Sequence, residues 1–139
     1  MERGEVLRYV VDCGVVLQLA HDEIEVGLEH RLLAPTLLRS QTLSSLHEQV
    51  HAGALAPDVA RDLVRRMNGM RIRLLGDAVL RRRAWEIADE LGWPETYNAE
   101  YVALTQLQAD AFVTLDKKLA GKVSALVETA PFEALTAGV

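Results

Sequence analysis

The feature that most constrains this chain is a set of four short apolar runs, none longer than five residues, each followed closely by a helical pattern. Leu7 to Val11, Arg31 to Ala34, Arg71 to Leu75 and Ala111 to Leu115 are too short for buried helices and carry the Val, Leu and Ile of strands. Arg71 to Leu75 sets Ile72 and Leu74 between arginines, the alternation of a half-buried strand. Strand and helix in repetition predict a short, mostly parallel sheet covered on both faces, a three-layer α/β/α domain. A length of 139 residues fits one such domain, and no linker, repeat or low-complexity tract divides it. Half the residues are hydrophobic but only 5% aromatic, so a core is affordable and must be mostly Leu, Val and Ala.

The helices read from their punctuation. One follows directly on the first strand through Val15 to Leu19. A second runs from Thr36 with Leu37, Leu38, Leu43, Leu46 and Val50 towards a stop at Gly53. Pro57-Asp58 opens a third, carrying Val59, Leu63 and Met67 and ending near Asn68-Gly69; Val59 and Leu63 suit either the core or a dimer face. Asp77 caps a fourth that continues through Leu91 to Gly92 and Pro94. Asn98 is expected to cap the next, which holds Tyr101, Val102, Leu104 and Leu107, and Lys117 to Leu126 reads as a further helix. Val127 to Phe132 is expected as a last strand, confined to a sheet edge by Pro131.

Charge narrows the functional classes. A net charge of −5 argues against a simple basic nucleic-acid binder, yet eight arginines stand against two acids between Arg61 and Arg83. That is a local +6, leaving −11 for the rest. The excess reads either as Arg-rich helix faces or as a surface for RNA phosphates or an acidic protein segment, with Arg81, Arg82 and Arg83 as the binding candidates. No apolar run approaches the roughly 20 residues that span a bilayer. The charged start Met1 to Asp12 is unlike a signal peptide, and a single cysteine, Cys13, excludes an internal disulfide or a cysteine-rich zinc site. The cytoplasm is the expected compartment.

Two of the apolar runs end in aspartate, Asp12 and Asp116. In parallel sheets ligands gather beyond the carboxyl ends of the strands, so both acids fall where a site belongs. Carboxylates there suit a divalent cation that activates water and stabilises charge on phosphorus oxygens. They equally suit helix capping.

Four segments carry a resemblance that bears on this choice. Tyr9-Val10-Val11-Asp12-Cys13-Gly14-Val15, Leu32-Leu33-Ala34-Pro35 through Gln41, Tyr97-Asn98-Ala99-Glu100-Tyr101 through Leu104, and Val113-Thr114-Leu115-Asp116-Lys117-Lys118-Leu119-Ala120 occur in the order found in the PIN-domain family. The last two in tandem are the most specific, and the VapC toxins of bacterial toxin–antitoxin pairs resemble the chain most. The resemblance implies a PIN-like domain, RNA as substrate, Mg²⁺ or Mn²⁺ as ion, a small antitoxin partner and a homodimer. It also implies four acidic positions, and the chain departs at two. Asp12 and Asp116 match, whereas Gln41 stands for a glutamate and Asn98 for an aspartate. These four positions offer −2 where the family offers −4, so one weakly held ion or none is expected. Glu100, two residues past Asn98, is the acid best placed to substitute, although it projects about 200° around the helix; its plainer role is a solvated first-turn glutamate. Thr114 suits either orienting a carboxylate or water, or simply filling a strand position.

Three functions follow: a metal-dependent ribonuclease with a degenerate site, a non-catalytic RNA- or protein-binding module on the same fold, and a zinc hydrolase. The last rests on His47-Glu48-Gln49-Val50-His51, the H-E-x-x-H arrangement that places two histidines on one helix face. It needs a third ligand, for which only Asp58 and Asp62 follow nearby, and a solvated polar face is the plainer explanation. His21 and His30 are expected at the surface.

Overall fold

The computed structural model describes residues 6–27 and 29–136. Their elements alternate as expected: β1 (Leu7–Val11), α1 (Cys13–His21), β2 (His30–Pro35), α2 (Leu37–His51), α3 (Pro57–Asn68) and β3 (Ile72–Leu75). There follow α4 (Ala78–Leu91), α5 (Tyr97–Gln108), β4 (Ala111–Val113), α6 (Lys117–Val123), β5 (Thr129–Ala130) and α7 (Glu133–Thr136). The strands form one sheet in the order β3-β2-β1-β4-β5. Every neighbouring pair is parallel, with Val11 beside Val113 and Val10 beside both Leu33 and Phe112.

This order sets the site. From β1 the chain proceeds outward to β2 and β3, then returns to lay β4 on the other side of β1. The winding reverses between β1 and β4, and such a reversal opens a crevice beyond the carboxyl ends of the two strands. Val10, Val11, Phe112 and Val113, the central residues of this pair, are wholly buried. One layer is α1, α2 and α3, which pack on one another over a small cluster of Ala20, Leu46, Ala60 and Leu63. α5 lies against β1, β2 and β4 with α4 packed on it. That double burial explains why α5 hides Ala99, Tyr101, Val102, Ala103, Leu104 and Thr105, more than one stripe of an amphipathic helix.

Local chemistry accounts for most boundaries. Pro57 begins α3, where its missing N–H costs nothing. Asp77 accepts the Leu80 N–H at 2.9 Å, and α4 ends on Gly92 in the left-handed conformation, φ 69°. Other expectations need correction. Asn98 does not cap α5: the Glu100 N–H already donates to the Thr96 carbonyl, so the helix starts at Tyr97 and Asn98 lies inside its first turn. β4 stops at Val113 instead of Leu115, because the Thr114 hydroxyl accepts the Asp116 N–H and turns the chain out of the sheet. α6 ends at Val123, short of Leu126; the Ser124 hydroxyl bonds back to the Gly121 carbonyl, a local competitor of helical bonding. The last strand is only Thr129–Ala130, at the sheet edge with Pro131 just beyond it. Val59 is exposed, while Leu63 is core. His21 is at the surface, but the His30 side chain is only 8% exposed and packs edge-on against Tyr9.

Among the described residues, no helix is long and apolar enough to cross a membrane.

Candidate functional site

Asp12 is the first residue after β1, and Thr114 the first after β4. Because Val11 and Val113 are register partners, the two side chains emerge side by side at the carboxyl edge. The Thr114 hydroxyl donates to Asp12 Oδ2 at 2.5 Å, while Oδ1 accepts the Val15 N–H at 3.1 Å and so caps α1. Asp116 caps α6 in the same manner, its Oδ1 accepting the Leu119 N–H at 3.0 Å. Both aspartates are therefore helix caps. A carboxylate offers about four lone-pair sites, so one or two capping bonds do not exhaust its capacity to coordinate.

Burial is the main influence on Asp12 and pushes its pKa above the usual carboxylate value. The bonds from Thr114 and Val15 oppose that shift, and the nearby Asp116 charge adds to it. Cys13 is driven up to about 11 by burial and then by the Asp12 charge, so its thiol stays protonated at neutral pH.

Gln41 reaches the same region from α2. Its Oε1 accepts a 2.6 Å hydrogen bond from the hydroxyl of Tyr101, a tyrosine buried in α5. Burial and then the charge of Asp12 raise the Tyr101 pKa, which keeps the phenol a donor. The sequence placed Tyr101 only on a helix; in the fold its hydroxyl orients the Gln41 amide. The available signal was a buried tyrosine, whose hydroxyl ordinarily needs a partner.

Among the described residues, Asn98, Glu100 and Arg81 to Arg83 make no hydrogen bond or ion pair with Asp12, Thr114 or Asp116. Asn98 is exposed on the first turn of α5. Glu100 is half-buried, its pKa raised by burial and lowered by Arg81. Arg83 is engaged by Gln106 at 2.7 Å, Glu86 at 3.1 Å and Glu90 at 3.4 Å. Arg81 and Arg82 are exposed beside it on α4. His47, Glu48 and His51 lie exposed on α2, and Asp62 is ion-paired with Arg65 and Arg66. Among the described residues, no group of three or more His, Cys, Asp or Glu side chains converges to hold a metal.

The donor set at the carboxyl edge is thus two carboxylates, a threonine hydroxyl and an amide oxygen already bonded by Tyr101. With −2 from its carboxylates, this set carries too little charge for two hard divalent cations, and Asp12 and Asp116 are the residues that could hold one.

No family model matches the chain, and no curated protein does. Among solved structures it is similar to the crystal structure of PAE2754 from Pyrobaculum aerophilum, with a TM-score of 0.73 at 23% identity over 94% of this chain and 93% of that one. It is also similar to a chain in the structure of VapBC-1 from nontypeable Haemophilus influenzae, with a TM-score of 0.60 at 13% identity over 91% of this chain and 98% of that one. At these identities the fold is what is shared: this chain is a PIN-like α/β/α domain.

Proposed function

We propose that the chain is a VapC-like ribonuclease with a degenerate site, acting on RNA with one weakly held Mg²⁺ or Mn²⁺ and paired with a small antitoxin-like protein. The observation that carries this reading is the convergence of Asp12, Thr114 and Asp116 at the β1/β4 reversal. The VapBC-1 likeness supports the antitoxin-like partner, and a homodimer is what the family resemblance implies. Asp12 and Asp116 would hold the ion, with Gln41 and Asn98 as its neutral neighbours. When bound, the ion supplies an activated water and charge stabilisation for phosphodiester hydrolysis. Thr114 fixes the orientation of Asp12, and Tyr101 fixes that of Gln41.

Two measurements test this. RNA cleavage should require Mg²⁺ or Mn²⁺ and disappear in Asp12→Asn, a variant that keeps a capping side chain; cleavage that persists in the variant rejects the site. In a calorimetric Mn²⁺ titration, Gln41→Glu/Asn98→Asp should bind at least about tenfold more tightly than wild type. Unchanged affinity would mean that those positions do not belong to a metal cleft.

A second reading keeps the fold without cleavage, as an RNA- or protein-binding module. The observation favouring it is that both aspartates already serve as helix caps without a third acid among the described residues. It expects binding that is indifferent to Asp12→Asn.

A further inference from the structure

The amino ends of the strands face away from the aspartates and border a cleft of about 1110 Å³. With a rise of about 3.3 Å per residue, β1 alone separates the two ends by roughly 13 Å. Six arginines line the cleft: Arg8 of β1, Arg31 of β2, Arg65 and Arg66 of α3, and Arg71 and Arg73 at β3. Two acids, Glu23 and Glu25, line it as well. A lining this basic on a chain of net charge −5 is a concentrated field, and concave low-dielectric walls strengthen it. Four of the six arginines come from the Arg61–Arg83 stretch; the fold adds Arg8 and Arg31 from elsewhere.

Some of these guanidinium groups are already positioned. Arg66 donates to the Ala20 carbonyl at 2.9 Å and pairs with Asp62 at 2.7 Å and Glu23 at 3.7 Å; Arg65 pairs with Asp62. Among the described residues, no ion pair engages Arg8, Arg71 or Arg73. A second observation points to a ligand. His30 borders the cleft with its side chain only 8% exposed, and neither of its buried ring nitrogens has a hydrogen-bond partner among the described residues. Buried polar atoms rarely remain so. The Glu29 carboxylate lies 3.5 Å from Nε2 without the geometry of a hydrogen bond. Tyr9 holds the ring edge-on, with centroids 5.3 Å apart.

We propose that this cleft binds a small oligophosphate, its phosphates spanning Arg8, Arg71 and Arg73 and displacing Glu29 from beside His30. Arginine suits the task because its planar fork meets phosphate oxygens in pairs. Apolar walls at Ile24 and Met70 accommodate a base as readily as a bare chain. Glu23 and Glu25 interrupt the basic lining and keep it short, which admits a small anion, whereas an RNA strand needs a continuous basic track. The site is independent of the aspartates and of the ribonuclease reading.

The test is calorimetric titration of the full chain with ATP and, separately, with inorganic tripolyphosphate, both with EDTA so that no metal bridges the acidic end. Saturable one-to-one binding is expected. It should weaken about tenfold or more in Arg71→Ala/Arg73→Ala and in Arg8→Ala, and stay unchanged in Arg82→Ala and Asp12→Asn. Tighter binding of ATP assigns a nucleotide, and parity assigns inorganic polyphosphate. Absence of saturable binding by both probes overturns the proposal, as does equal weakening by Arg82→Ala. RNA binding that needs these arginines, with neither probe bound, overturns it too.

Discussion

The two ends of the sheet are built by different means. At the carboxyl end, Asp12 and Thr114 follow directly on register-paired strands, and Asp116 sits at the next helix start. Backbone geometry places them, and their capping bonds hold them. At the amino end the arginines come from β1, β2, α3 and β3, and long side chains gather what the backbone leaves apart. The difference teaches that a short-armed acidic site is tied to secondary-structure ends, whereas a long-armed basic one depends on tertiary topology. Changes to the strands should damage both ends, and changes to caps only one.

Phe112→Ala is the severest way to break the comparison. Phe112 is wholly buried in β4, so truncation should cost about 3–5 kcal/mol in urea unfolding and weaken both ends together. Asp116→Ala separates them. Loss of the α6 cap should cost about 1 kcal/mol while leaving oligophosphate titration at the amino end unaltered, and Asp116→Asn should recover most of that loss. Tyr101→Phe should also cost about 1 kcal/mol, at the low end of the effect of Asp116→Ala, by removing the bond that orients Gln41.

The smallest effect is in pH dependence. Asp12 has a folded-state pKa above its unfolded value, so its proton is held more tightly in the folded chain. Its contribution to stability is complete below the unfolded value of about 3.9 and is lost as pH rises through the higher folded value. Urea midpoints of Asp12→Asn compared with wild type across that window should show the decline reduced. An unchanged profile would mean that burial does not disfavour the Asp12 carboxylate.

Much of the carboxyl end was legible in the sequence because its signals are local. Short apolar runs closed by aspartate marked β1 and β4 approximately, and the Asp–Lys–Lys–Leu start marked α6. Thr114 was singled out as a residue able to orient a carboxylate, and it bonds Asp12. Asn98 misled because a good capping residue lies one position inside a helix that Thr96 begins. The four-residue α7 has no period to read, although its Leu135 is wholly buried. What stayed hidden was long-range: the Tyr101–Gln41 bond spans 60 positions, and the basic cleft joins Arg8 to Arg73. A count of arginines between Arg61 and Arg83 drew attention to Arg81–Arg83. The fold also gathers Arg65, Arg66, Arg71 and Arg73 with two arginines from outside that stretch, a grouping that no local count reveals.

The caps on α1 and α6 give Asp12 and Asp116 a duty besides the charge they carry. Asp12 and Asp116 each begin a helix, whereas Gln41 and Asn98 lie within helices whose starts do not depend on them. Capping therefore asks for a side chain that accepts a hydrogen bond at positions 12 and 116, and makes no such demand at 41 and 98. Asparagine at position 12 or 116 would divide the two duties, keeping a helix start while removing the charge.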